Sequence, residues 1–106
     1  LSSAASDVYK RQEGECATPG RIVMGTLTIV YSHHASDLQE KLHFIQHRYL
    51  DRIITSVHVH IDEDNCLEVI ILKGETGEVQ DVANLILGTK GVKTGRLVMT
   101  TTGEFI

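Results

Sequence analysis

Two histidines and a cysteine stand close together in the segment Val57-His58-Val59-His60-Ile61-Asp62-Glu63-Asp64-Asn65-Cys66. In an extended strand successive side chains alternate between faces, so His58 and His60 share one face while Val57, Val59 and Ile61 share the other. The apolar side is expected to be core and the histidine side free for chemistry. Asp62-Glu63-Asp64-Asn65 has the composition of a reversing turn, and a hairpin there returns Cys66 to within reach of His60. Two imidazoles and a sulfur then converge. Neutral imidazole and thiolate are the donors that borderline transition metals prefer, although a fourth donor is missing. The same residues also suit half-exposed strand histidines beside a small buried hydrophobe, and one cysteine is far less specific than a paired Cys-x-x-Cys. The metal reading needs both imidazoles on one side of the strand and a cysteine that is not sealed inside.

The elements that must hold these residues come from a chain of 106 residues with 42% hydrophobic content, which suits one small domain with a modest core. A net charge of -4 and a pI near 5.8 argue against nucleic-acid binding by this segment, because phosphate recognition needs a basic footprint. Cys16 and Cys66 have no framework spacing, so a reducing, cytoplasmic compartment is expected, and Cys16 receives no role. The longest apolar runs, such as Leu67 to Leu72, are far too short to cross a bilayer.

Residues 1–12 look foreign to the rest of the chain. Asp7-Val8-Tyr9-Lys10-Arg11-Gln12 is similar to the in-frame translation of a transposon end used in preparing sequencing libraries, and the alternative is a disordered tail. Residues 13–20 read as a linker, with Pro19, two glycines and Cys16. The domain is expected over 21–106. A first strand spans Arg21 to Ser32, rich in β-branched residues, with Gly25 marking a candidate bulge. A helix comes next, from Ser36 to Asp51, with Ser36 or Asp37 as N-cap and Leu38, Leu42, Ile45 and Tyr49 as its core stripe. On that helical wheel His47 lies roughly 180° from Leu38, pointing away from the core. It therefore cannot easily join His58 and His60 within one subunit; the mixed face it shares with His43, Phe44 and Leu50 reads as a partner surface, from which His47 can supply a ligand in trans, with ordinary exposed apolar residues as the alternative.

Strands from Ile53 to Asp62 and Cys66 to Lys73 make the hairpin, and Gly74 and Gly77 are expected to break the chain. A second helix runs from Glu78 to about Gly88, carrying Val79, Val82, Ala83 and Ile86 on one face. Val92 to Thr102 is the last strand. This βαββαβ order is an α+β pattern, the ferredoxin-like (ACT-like) four-stranded antiparallel sheet with both helices on one face. The bare face of such a sheet must be covered or solvated, and the histidines are expected there, so assembly is expected there too.

Ile45-Gln46-His47, Ser56-Val57-His58-Val59-His60, Asp64-Asn65-Cys66-Leu67-Glu68, Gly91-Val92-Lys93 and Leu97-Val98-Met99-Thr100-Thr101-Thr102-Gly103 together resemble the C-terminal domain of the nickel-responsive transcription regulators, the NikR family. The resemblance covers about residues 25–103 and implies a square-planar Ni(2+) site. His58, His60 and Cys66 would come from one subunit and His47 from another, at the interface of a homotetramer. It also implies a nickel-sensing domain of a repressor of nickel uptake whose DNA contacts are made by an N-terminal ribbon-helix-helix domain. That domain is absent from this chain, so the chain is expected to sense metal without binding an operator, and no membrane is involved.

Tyr31, Gln46 and Glu68 match family positions beside the ligands and would orient or cover them, with ordinary packing as the alternative. His33 and His34 stand where the family often has histidine, which implies an auxiliary metal role. Two departures count against inherited extras. Ala35 and Ser36 follow His34 where many members have basic residues, and Thr94 stands where members often have histidine.

Three imidazoles and a thiolate suit a tetragonal divalent ion, whereas zinc prefers a tetrahedron. Binding needs a deprotonated thiol and neutral rings, so affinity should fall in acid. The alternative from another class is an ACT-type module binding amino acids, which wants a glycine-rich loop after the first strand where this chain has Tyr31-Ser32-His33-His34-Ala35. An enzyme using Cys66 and His60 as nucleophile and base lacks an oxyanion loop and an orienting third group. The chain is therefore expected not to be an enzyme.

Overall fold

The computed structural model describes residues 20–35 and 37–103. Its elements run β1 (Ile22–Ser32), α1 (Leu38–Arg48), β2 (Ile53–His60), β3 (Asn65–Glu75), α2 (Thr76–Leu87) and β4 (Val92–Thr101). The foreign-looking segment, Cys16, nearly all of the expected linker and the candidate cap Ser36 lie outside the described residues.

The strands form a four-stranded sheet in the order β2-β3-β1-β4. Every neighbouring pair is antiparallel. With βαββαβ connectivity this is the ferredoxin-like arrangement. Both helices lie on one face, because their buried stripes join one core with one side of the strands. Leu38, Leu42 and Ile45 of α1 and Val79, Val82, Ala83 and Ile86 of α2 meet Leu27, Ile29 and Tyr31 of β1 and Ile70 and Leu72 of β3. Each large aliphatic side chain sealed in this layer stabilises by about 1.5–3 kcal/mol relative to exposure.

α1 is shorter than its sequence pattern suggests. Asp37 occupies the N-cap without a side-chain cap bond, and the helix closes where the Tyr49 N–H donates to the Ile45 carbonyl. The expected break at Gly74 does not occur. β3 continues through Gly74 to Glu75, and α2 starts at once at Thr76 with Gly77 in its first turn. The Glu78 carboxylate secures that start, accepting from the backbone N–H of Glu75 at 3.3 Å and pairing with Arg52.

Gly25 marks no bulge. It keeps regular register with Leu72 and Met99, and a Cβ there would come within 2.8 Å of Val79 Cγ1. Its lack of a side chain lets α2 sit close to the sheet. The one irregularity of β1 against β4 falls between Val30 and Tyr31.

The face expected for the histidines is also corrected. His58 pairs with Glu68 and His60 with Cys66, both on the helix-covered side of β3. Val57 and Val59 pair with Val69 and Leu67 on the bare side and are 53% and 47% exposed. The apolar residues of this strand are therefore outside, and the histidines point to the side where the core lies. β2 is an edge strand, and its histidines remain exposed on that side.

Candidate metal centre

Three sequence segments arrive at one end of the helix-covered face. The hairpin places His60 directly opposite Cys66, and the β1–β3 register places Tyr31 opposite Cys66 from the other flank. The chain leaving β1 is then tied to the hairpin turn, because the backbone N–H of His33 donates to the Asp64 carbonyl at 2.7 Å. The turn itself is held by Asp62, whose carboxylate accepts from the N–H groups of Asp64 and Asn65, both at 2.8 Å. Those two donors hold its carboxyl below the usual range.

The sulfur of Cys66 lies 3.4 Å from Nδ1 of His33 and 3.6 Å from Nδ1 of His60. The donor atoms of these residues all fall within 4.8 Å of one another. Cys66 is fully buried, whereas His33 and His60 are exposed, so the sulfur forms the floor of a site roofed by two solvent-facing rings. One thiol proton can serve only one ring nitrogen, while a thiolate can accept from both rings or replace those contacts with a metal bond.

His58 flanks the triple, with its ring centroid 5.0 Å from that of His60. Its Nε2 is 3.3 Å from the Tyr31 hydroxyl, and that hydroxyl donates to Glu68 Oε1 at 3.2 Å. A carboxylate only accepts, so the phenol proton belongs to Glu68 and the phenol oxygen accepts from Nε2–H of His58. This tautomer leaves Nδ1 of His58 as its free lone pair. Gln46 closes the chain of contacts, its Nε2 donating to Glu68 Oε2 at 2.6 Å. Burial, followed by the neighbouring Glu68 charge, pushes the Tyr31 phenol up to about 12. Tyr31, Gln46 and Glu68 thus form one hydrogen-bonded group under His58.

His47 does not join them. It is exposed near the end of α1, in a cleft with Leu50, Ile54 and Thr55 beside β2. His34 also turns away, with Nε2 3.3 Å from Asp64 Oδ1. The place of His33 in the triple was visible in the sequence only as a resemblance. Its signal is the pairing of Tyr31 with Cys66, which brings the end of β1 over the hairpin.

The donor set fits a transition-metal ion: a thiolate-capable sulfur and imidazole nitrogens converge. The family model described as "NikR C terminal nickel binding domain" matches residues 24–100. Proteins named "Putative nickel-responsive regulator" are similar over most of the chain. The one from Thermococcus onnurineus is 52% identical over 84 residues, covering 79% of this chain and 61% of that protein. Those from Pyrococcus horikoshii and Geotalea uraniireducens are 55% and 53% identical, covering 77% and 76% of this chain and 59% and 58% of theirs. The chain thus spans about three-fifths of the length of these curated relatives. A solved Bacillus cereus structure, named as a "Putative Antibiotic Biosynthesis Monooxygenase", superposes with a TM-score of 0.41 at 11% identity, over 76% of this chain and 91% of that one. That superposition is too loose to bear on function.

Proposed function

The chain belongs to the family of NikR C-terminal nickel-binding domains. From that premise we propose that it is the nickel-sensing and assembly domain of a nickel-responsive transcriptional regulator, with the ion held by His58, His60, Cys66 and His47 of a second chain. The observation that carries this is the rung joining His60 to Cys66, with His58 two residues away on the same face and its Nδ1 free. When bound, the ion supplies a bond set that only two chains together can complete, so its occupancy is coupled to quaternary structure. The residues of this chain do the rest. Tyr31, Glu68 and Gln46 hold His58 in one tautomer, and the backbone of the turn fixes the reach of Cys66.

His47 is exposed on the outer side of α1, which supports its donation to a neighbour. The uncovered side of the sheet supports assembly into a homotetramer, since Val57, Val59 and Ile61 stand out from it half exposed. Operator binding is assigned to a ribbon-helix-helix segment of the full-length protein. The acidic balance of this chain agrees, because it offers no basic footprint for phosphates. No helix of the described residues is long and apolar enough to cross a membrane, and the free Cys66 suits the reducing cytoplasm.

Nickel titration followed by absorption spectroscopy tests the reading. The expected result is a sulfur-to-metal charge-transfer band with a planar-type ligand-field spectrum, both lost in Cys66→Ala. An unchanged spectrum in that variant would overturn the ligand assignment.

A further inference from the structure

Of the 6 histidines in the chain, His33 and His60 meet the Cys66 sulfur, His34 meets Asp64 and His58 meets Tyr31. The other two, His43 and His47, make no hydrogen bond, ion pair or ring contact with another described residue. Both are exposed on α1, four positions apart, so their side chains share a face, about 40° apart around the axis and about 6 Å along it. The buried stripe of Leu38, Leu42 and Ile45 lies on the other side of that helix. The two histidines line one open cleft of about 220 Å³ beside β2, together with Gln46, Leu50 and Ile54. Arg48, the cation next in the chain, is engaged elsewhere, its guanidinium 5.9 Å from the centre of the Tyr49 ring.

Imidazoles one helical turn apart have the spacing with which a helix chelates a transition metal, as in the His-Glu-x-x-His pattern. We propose that His43 and His47 form a two-imidazole capture site on the outer face of α1 for a divalent ion of the nickel, copper and zinc class. Imidazole suits all three, and with no thiolate or carboxylate in the pair the remaining positions of the ion stay with water. The inference rests on the nickel reading in one respect: His47 serves both sites, so one ion cannot be held fully by both. An ion on the α1 pair already carries the one donor that α1 offers to a second chain, and it exchanges His43 and water for His58, His60 and Cys66 of that chain as the shared centre forms. His43 also borders the polar cleft lined by Tyr31, His58 and Glu68, which puts the pair at the rim of the half-site of its own chain. Capture then precedes assembly and takes place on a single exposed helix.

The experiment uses the full chain carrying Cys66→Ser, in which the shared centre lacks its sulfur while the side chain keeps its size, titrated with nickel(II) alone and followed by the ring resonances of the histidines. The expected result is that His43 and His47 broaden together, ahead of His33, His58 and His60, without a sulfur-to-metal charge-transfer band. Adding His43→Ala leaves a single imidazole on that face and lowers the affinity read at the His47 ring at least about tenfold, through loss of the linked second donor. His43 is exposed, so its truncation does not cost the fold its core. Lys41→His in the same background restores nothing, because it sets a ring six positions from His47 and about 120° round the helix. If His43→Ala leaves the affinity unchanged, if the two rings respond independently, or if Lys41→His restores binding, the pair is not a chelate and the proposal fails. A failure of the nickel reading would register separately, as an absent planar spectrum in the unmodified chain with nickel.

Discussion

At the scale of single residues, the phenol of Tyr31 is the group whose surroundings make the plainest demand. It is buried, donates to Glu68 and accepts from His58, and its ionisation is pushed up to about 12 from 10.0. The folded chain thus keeps a proton that the unfolded chain loses earlier. The stabilisation is fully present below about pH 10 and disappears as pH rises through about 12. Denaturation monitored against pH should therefore show an alkaline loss of stability in that window, absent in Tyr31→Phe. The same variant removes the partner of His58 Nε2, so its nickel affinity should fall about 10- to 100-fold by calorimetric titration. The sequence showed which residue types could bind metal, and the hairpin pairing of His60 with Cys66 followed from turn composition alone. The approach of His33 to Cys66 did not, because it depends on a register between β1 and β3 that no local pattern encodes.

At the scale of elements, small residues set how closely the helices lie on the sheet. A Cβ at Gly25 would stand 2.8 Å from Val79 Cγ1, on a side chain that is stiff at χ1, and one at Gly95 would stand 2.9 Å from both Ile29 Cγ2 and the Thr28 carbonyl oxygen. Gly25→Ala and Gly95→Ala should each lower stability by about 1–3 kcal/mol through overpacking, read as a fall in Tm, with the larger loss at Gly95 where backbone must yield. The order of elements was legible from periodicity, since helix and strand patterns alternate cleanly between residues 21 and 102. Which side of β2 faces the helices was not. Alternation groups Val57 with Val59 and His58 with His60 but does not say which group turns inward. β3 settles the matter by pairing, and β3 is apolar on both faces, with Cys66, Ile70 and Leu72 on one side and Leu67, Val69 and Ile71 on the other. The apolar half of this edge strand belongs to the bare side, not to the core.

At the scale of the whole molecule, that bare side is the surface on which the proposed assembly is tested. Val59→Lys sets a charge on its edge strand without disturbing the core, since Val59 is 47% exposed in the single chain. Sedimentation should show the variant folded, within about 0.5 kcal/mol of the parent, but shifted to smaller species. The rung between His60 and Cys66 carries one more consequence. An ion gripping both sides of so tight a turn restricts a loop that is already short, and tethering a short loop removes little freedom from the unfolded chain. The main core takes in Cys66 and lies among β1, β3 and the two helices, so most of its buried contacts are made away from the rung. In zinc fingers the affinity for the metal is consumed in making the fold. Here most of the packing is independent of the rung, so under the proposed function the energy of capture goes to drawing in a companion molecule, which is what distinguishes a detector from a scaffold.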